Sequence, residues 1–173
     1  MKNIVLTGFM GTGKTTVGQL LAEELHRQFF DTDQIIEEKL DAKISEIFKK
    51  IGEPKFREFE TETIALISNL EDSVISCGGG VVVNPVNVKN LRKNGIIINL
   101  YASADHILKR LPLLDSRPLI KQMLNPYEGI KKMLAQRQKA YQQCDFAVNT
   151  DNLTPEQVVE KILENKLVKD ILK

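Results

Sequence analysis

Short apolar runs of strand length alternate along the chain with longer segments of helical periodicity. In the first periodic segment Val17, Leu20, Leu21 and Leu25 fall on one helical face. The runs typical of β-strands are Asn3–Thr7, Gln28–Asp31, Ser73–Cys77, Ile96–Tyr101 and Phe146–Asn149. This alternation predicts an α/β domain with a five-stranded parallel sheet covered by helices on both faces, a three-layer arrangement. Ligands of such sheets gather at the carboxyl ends of the strands.

The last helix has a clear start signal. Thr154 is predicted as its N-cap, Pro155 as its first residue, and Gln157 as the partner that closes a capping box. We expect residues 167–173 to continue this helix, with no assigned role.

The segment between the first strand and the first helix carries the most specific motif. Residues 8–15, Gly-Phe-Met-Gly-Thr-Gly-Lys-Thr, match G-x-x-x-x-G-K-[ST], the phosphate-binding loop. Its glycines allow backbone N–H groups to converge on one anion, and the following helix adds its positive N-terminal end. Lys14 would reach the outer phosphates and Thr15 would offer a hydroxyl to Mg²⁺. The motif predicts a nucleoside triphosphate as ligand but does not identify the acceptor.

Residues 112–126 break the alternation, because they contain three prolines and no regular period. A long irregular connection inside a compact domain is more often functional than accidental. In a kinase such a segment would close over the phosphates as a lid. A surface loop without function is the alternative.

Composition argues against some classes of binding partner and indicates a cellular location. With 24 basic and 23 acidic residues interspersed along 173, the chain has a formal charge of +1, so no nucleic-acid or membrane partner is expected. No apolar stretch is long enough to span a bilayer, and the early first strand leaves no room for a signal peptide. Cys77 and Cys144 are isolated and favour a cytoplasmic location with reduced thiols. We expect surface roles for His26 and His106.

Acidic residues follow the second predicted strand, which ends Phe30-Asp31-Thr32-Asp33. If that strand lies close to the phosphate loop, one carboxylate could hold Mg²⁺ through water and the other could orient and deprotonate an attacking hydroxyl. Alternatively, Asp33 only caps the next helix. The motif position does not decide between these interpretations.

Three glycines, Gly78, Gly79 and Gly80, follow the third predicted strand. Glycines at a strand end expose backbone N–H groups and allow a ligand to approach closely. A tight turn is the simpler alternative, although one glycine usually suffices for that.

Two arginines fall on otherwise apolar helical stripes. Arg57 and Glu60 continue the stripe of Ile64 and form an i, i+3 pair, and Arg137 lies on the inward face of residues 127–141. Charges in such positions are costly unless they are paired or face a polar ligand. Two guanidinium groups directed at one region suggest a carboxylate-bearing substrate, bound bidentately.

These residues together resemble the shikimate kinase family over nearly the whole chain. The matching segments are residues 8–16, 31–33, 46–48, 52–53, Phe56-Arg57-x-x-Glu60, the triple glycine, Arg117-Pro118-Leu119, and Arg137 with Tyr141. The resemblance implies a P-loop fold like that of nucleoside monophosphate kinases and ATP-dependent phosphorylation of the 3-hydroxyl of shikimate. It also implies one domain over residues 1–173, with a substrate-binding segment near 33–60 and a lid near 112–124.

The resemblance assigns roles residue by residue. The residues implied to bind ATP are Gly11, Thr12, Gly13, Lys14, Thr15, Thr16, Arg110, Arg117 and Pro155, with Arg110 and Pro155 beside the adenine. Those implied to bind or enclose shikimate are Asp33, Arg57, Gly79, Gly80, Arg137, Phe48 and Phe56, with Glu60 bracing Arg57. Asp33, Lys14 and Arg117 are the implied catalytic residues, and Asp33 is the candidate base. Thr15, with Asp31 through water, would hold Mg²⁺.

One local departure and two alternatives accompany this hypothesis. The family's glycine and Ser/Thr helix cap before Ile44 are replaced by Ala42 and Lys43, a departure that concerns the local turn and helix cap and not the chemistry. Another small-metabolite P-loop kinase, such as a gluconate or nucleoside monophosphate kinase, is the enzymatic alternative. A catalytically idle nucleotide-binding module is the other. We expect a monomer.

Overall fold

The computed structural model describes residues 1–111 and 125–172. Its strands are β1 (Asn3–Thr7), β2 (Gln28–Asp31), β3 (Ser73–Ser76), β4 (Gly95–Tyr101) and β5 (Phe146–Asn149). Its helices are α1 (Lys14–Glu24), α2 (Thr32–Leu40), α3 (Ile44–Ile67), α4 (Pro85–Asn94), α5 (Ala104–Arg110), α6 (Pro126–Tyr141), α7 (Pro155–Glu164) and α8 (Lys166–Ile171). A short 3₁₀ turn, Val81–Val83, precedes α4. The predicted lid lies outside the described residues.

The five strands form one parallel sheet in the order β2-β3-β1-β4-β5. β1 is central and pairs Leu6 with Ser76 of β3 and with Ile98 of β4. All five predicted strands are confirmed to within one residue at their ends. The sheet places the residues that follow β1, β2 and β3 beside one another, at their carboxyl ends.

Helices cover both faces of the sheet, as the sequence predicted. On one face Val5, Ile75 and Ile97 pack with α3, α4, α5 and α6. On the other face Leu6 and Ile98 pack with side chains of α1 and α7. The alternation of neighbouring strand residues between two buried clusters is the pattern of a sheet covered on both sides.

A third, smaller cluster holds the segment between β2 and the middle of α3. It joins Ile36 of α2 with Ile47 and Phe56 of α3, and all three are buried. Gly52, with φ 77° and ψ 166°, interrupts α3 with a kink, and Pro54 lies in the first turn after it. The second part of α3 therefore starts anew near Pro54, and its Ile64 and Ile67 pack against the sheet.

Glu37 replaces the missing side-chain cap before Ile44. Asp41 adopts a left-handed conformation (φ 46°) and ends α2, whereas Lys43 at the N-cap of α3 offers no capping side chain. Instead, Glu37 Oε1 accepts from the Ile44 N–H over 2.9 Å, and Glu37 Oε2 lies 2.9 Å from Lys43 Nζ. A carboxylate from the preceding helix thus satisfies one of the open N–H groups of α3.

The capping box at Thr154 is confirmed, but the expected continuation of that helix is wrong. Asn165 takes an extended conformation (ψ 133°) after α7, and its side chain accepts from the Leu167 N–H to start α8. Asparagine is a favoured N-cap, so it starts a new helix here. Within residues 1–111 and 125–172, no helix combines the length and apolar character that crossing a membrane requires.

Candidate functional site

The phosphate loop connects β1 to the first turn of α1. Gly8, Gly11 and Gly13 have φ values of 141°, 76° and 91°, which side chains disfavour. A Cβ at Gly8 would also overlap the Leu100 carbonyl oxygen. No side chain in the described part of the chain caps α1 at Gly13. The loop thus leads directly into the positive N-terminal end of α1, which favours an anion.

A cavity of about 410 Å³ opens beside this loop. Its lining includes Gly11, Thr12, Gly13, Lys14, Thr15, Thr16, Arg110, Thr150, Leu153, Pro155 and Val158. Arg110 crosses to the end of β5, where Nη1 donates to Thr150 Oγ1 over 2.8 Å and Nη2 donates to the Thr150 carbonyl. Every described residue of the predicted nucleotide set thus borders one space. Thr150, Leu153 and Val158 were not predicted, and their only sequence signal is that they follow a strand end.

A hydrogen bond between the Lys14 side chain and the Phe9 backbone spans the phosphate loop. Lys14 is 9% exposed, and its Nζ donates to the Phe9 carbonyl over 2.8 Å. The ammonium group is therefore held within the loop, where a phosphate would meet it.

Asp31 links the phosphate loop to α2. One of its oxygens accepts from the N–H groups of Asp33 (3.0 Å) and Gln34 (3.3 Å), and the other accepts from the Thr15 hydroxyl over 2.9 Å. The N-cap of α2 is thus Asp31, so the interpretation of Asp33 as the cap is wrong. Asp33 lies in the first turn of α2 and borders the same cavity as Lys14.

The Thr15 and Asp31 side chains fit a magnesium ion. Both are hard oxygen donors, and together they would leave most coordination positions to water and phosphate oxygens, as Mg²⁺ prefers. Their hydrogen bond shows that the hydroxyl and the carboxylate already face each other.

The three glycines after β3 make room chiefly for the protein's own side chains. A Cβ at Gly78 would overlap Asp33 Oδ1, and a Cβ at Gly80 would overlap the Arg57 guanidinium. At Gly79 the nearest atom to such a Cβ, the Met10 nitrogen, would be 3.5 Å away. The sequence predicted close approach by a ligand, whereas at Gly78 and Gly80 the approach is intramolecular. This packing brings Asp33 and Arg57 to opposite ends of the same turn.

Carboxylates on its own helix and an aromatic ring hold Arg57. Its Nη1 donates to Glu60 Oε1 over 2.7 Å and its Nη2 to Glu53 Oε1 over 2.9 Å. The guanidinium carbon lies 5.2 Å from the centre of the Phe56 ring, in the range of cation–π attraction. Phe56 in turn contacts Phe48, with ring centroids 4.6 Å apart. The charge predicted on an apolar stripe is therefore paired and directed at Gly80.

Arg137 reaches the same turn from α6. Its Nη1 lies 3.4 Å from the Gly79 carbonyl oxygen, to which the Tyr141 hydroxyl also donates over 2.7 Å. The Arg137 guanidinium carbon lies 6.0 Å from the centre of the Phe9 ring in the phosphate loop. The two arginines thus converge on consecutive glycines, beside the loop.

Glu60 is the most unusual acid in the site. It is 1% exposed, and its Oε2 is buried without a hydrogen-bond partner among the described residues. Burial raises the pKa of Glu60 to about 7, although the neighbouring Arg57 charge opposes this shift; the Asp33 carboxylate adds to the rise and Arg137 lowers it. With this pKa, Glu60 changes its protonation state near neutral pH.

Arg117 lies in the predicted lid, outside the described residues. Glu53 and Tyr141 lie in segments that matched the family, but no role had been assigned to them. Their helical spacing from Arg57 and Arg137 could have indicated the contacts.

A phosphate loop after the central strand of an all-parallel sheet, with a second polar site at the neighbouring strand ends, defines a P-loop protein built like nucleoside monophosphate kinases. The family model of shikimate kinase matches residues 10–166. A curated shikimate kinase from Caldicellulosiruptor bescii is 52% identical to this chain over 170 residues, which cover 98% of each chain. A second one, from Thermodesulfovibrio yellowstonii, is 49% identical over 164 residues, which cover 95% of this chain and 94% of the other. The chain therefore belongs to the shikimate kinase family.

A solved structure shows the same relationship. A shikimate kinase from Acinetobacter baumannii, in complex with shikimate, superposes with a TM-score of 0.93 at 35% identity, covering 100% of this chain and 96% of the other. The predicted fold class and family resemblance are both confirmed.

Proposed function

We propose that this protein transfers the γ-phosphoryl group of ATP to the 3-hydroxyl of shikimate, a step toward chorismate and the aromatic amino acids. The observation that carries the substrate assignment is the convergence of Arg57 and Arg137 on Gly80 and Gly79, beside the phosphate loop. Family membership and the relatives' names support the same reaction. Cytoplasmic location, a monomeric state and the absence of nucleic-acid or membrane partners belong to the proposal as well.

The cavity beside the phosphate loop is the proposed ATP site. Residues 11–16 would surround the phosphates, with Lys14 neutralising the outer ones. Arg110 and Pro155 line the same cavity, and the adenine would lie beside them. Arg117 of the proposed lid, residues 112–124, would add a further charge to the phosphates.

The turn formed by the glycines is the proposed acceptor site. Arg57 and Arg137 would bind the shikimate carboxylate, Glu60 would hold Arg57 in place, and the N–H groups of Gly79 and Gly80 would donate to the substrate. Phe48 and Phe56 would enclose it from the segment 33–60.

The reaction needs one bond made and one broken. The acceptor oxygen attacks the γ-phosphorus, the bond to the bridging oxygen of ADP breaks, and the hydroxyl proton passes to Asp33 as the candidate base. Asp33 suits this role because it borders both the cavity and the glycine turn. Mg²⁺, held by Thr15 and by Asp31 through water, would neutralise charge on the phosphates. Positioning and charge neutralisation would supply most of the rate enhancement.

A coupled assay of ADP release tests the proposal. With ATP and Mg²⁺, shikimate should support turnover, whereas gluconate and nucleoside monophosphates should not. Turnover of gluconate at the same rate would contradict the substrate assignment and favour the alternative kinase. ATP binding without turnover of any acceptor would favour an idle nucleotide-binding module.

A further inference from the structure

The Gly79 carbonyl is held by two donors of α6, one helical turn apart. The Tyr141 hydroxyl donates to it over 2.7 Å, and Arg137 Nη1 donates over 3.4 Å. Tyr141 is 8% exposed. Burial raises the pKa of Tyr141, and the Arg137 charge opposes this shift. The hydroxyl therefore keeps its proton near neutral pH and remains the donor.

A restrained carbonyl fixes the N–H that follows it. The Gly79 C=O and the Gly80 N–H belong to one planar peptide and point in opposite directions. Three consecutive glycines offer little resistance to rotation of this peptide, since no Cβ restricts their backbone. The Gly78 and Gly80 carbonyls already accept from the Val81 N–H (3.1 Å) and the Val83 N–H (3.0 Å). The hydrogen bond from Tyr141 restrains the Gly79–Gly80 peptide between them.

The Gly80 N–H belongs to the residue of the turn against which Arg57 packs. No acceptor among the described residues pairs with it. Its own residue packs so closely against Arg57 that a Cβ would overlap the guanidinium. The Gly80 N–H is thus close to the Arg57 guanidinium, and the two donors together suit an anion or a hydroxyl group.

We propose that Tyr141 is a positioning residue for the acceptor: its hydroxyl locks the Gly79–Gly80 peptide so that the Gly80 N–H and Arg57 face the substrate together. This inference rests on the proposed function, because the acceptor site is the one assigned there. Tyr141 does not touch the substrate. It sets the affinity for the acceptor through the peptide that it holds.

Tyr141→Phe is the decisive variant, because it keeps the buried ring and removes only the hydroxyl. We expect the KM for shikimate to rise about fivefold, in the range for loss of one hydrogen bond, with the KM for ATP changed less than about twofold. Tyr127→Phe, on the same helix and packed against the same core, is the matched control and should leave both constants unchanged. An unchanged KM for shikimate in Tyr141→Phe, or an equal rise of both constants, would overturn the proposal.

A second measurement does not depend on the reaction. The chain has 10 glycines, so selective ¹⁵N-glycine labelling should allow the Gly80 amide to be assigned by NMR. In Tyr141→Phe this resonance should shift or broaden by exchange, while Tyr127→Phe should leave it in place. If wild-type protein fails to phosphorylate shikimate but this shift is seen, the proposed function fails and the peptide lock stands. An unaltered Gly80 resonance would refute the lock itself.

Discussion

Arg57 and Glu60 form an ion pair of unequal exposure. The Nη1···Oε1 distance is 2.7 Å, yet the Arg57 side chain is 28% exposed and that of Glu60 only 1%. One oxygen of Glu60 faces its partner and the other is buried without one among the described residues. Ionising a carboxyl group in such a buried position costs free energy, even beside a cation.

Glu60 should make stability depend on pH near neutrality. Its pKa is about 7 in the folded protein against 4.5 in the unfolded chain, so the folded state binds the proton more tightly. The stability from Glu60 is then fully present below the unfolded pKa and is lost as pH rises through about 7. The free energy of unfolding of wild type relative to Glu60→Gln should fall by on the order of 3 kcal/mol from pH 5 to 8. Urea unfolding of both proteins at several pH values measures this difference in the free energy of unfolding.

Glu53→Gln is the matched control for this measurement. Glu53 also binds Arg57, but its side chain is 51% exposed, so its substitution should not change the pH dependence. A constant difference between wild type and Glu60→Gln over this range would contradict a raised pKa for Glu60.

Asp33→Asn should abolish turnover of shikimate while ATP binding stays nearly intact. The amide keeps the size of the side chain beside Gly78 but cannot accept a proton from the acceptor hydroxyl. ADP release and calorimetric titration with ATP check the two parts of this prediction. Activity close to wild type would remove Asp33 from the catalytic step.

Gly80→Ala should weaken binding of the acceptor but not of ATP. The new Cβ would overlap the Arg57 guanidinium, which must then leave its position. We expect the KM for shikimate to rise at least about tenfold, comparable to loss of a charge-assisted hydrogen bond. Gly129→Ala, inside α6, controls for the exchange of glycine for alanine. Equal KM values for shikimate in the two variants would argue against the packing of Arg57 on this turn.

Glu37→Ala should destabilise the protein by about 1 kcal/mol, the usual effect of losing a helix cap. Its carboxylate accepts from the Ile44 N–H at the start of α3. Thermal unfolding, compared with Glu38→Ala, whose carboxylate accepts from the Gln34 side chain, measures this effect. Equal melting temperatures of the two variants would show that the cap does not contribute.

The sequence by itself determined the features that depend on neighbouring residues. The phosphate loop, the five strands and the capping box at Thr154 each follow from a short segment whose backbone preferences do not need the rest of the chain. The family resemblance added the expected roles of residues far apart. The prediction of a continued helix was wrong at Asn165, where the N-cap preference of asparagine, also a local signal, started α8.

Only the tertiary structure decided how distant segments meet. The contacts of Arg57 with Gly80, of Tyr141 with Gly79 and of Glu37 with Ile44 join residues on different elements. The solvent exclusion that raises the pKa of Glu60 likewise comes from several packed elements at once. Such distances and burial depend on the sum of all packing contacts, which no single sequence segment encodes.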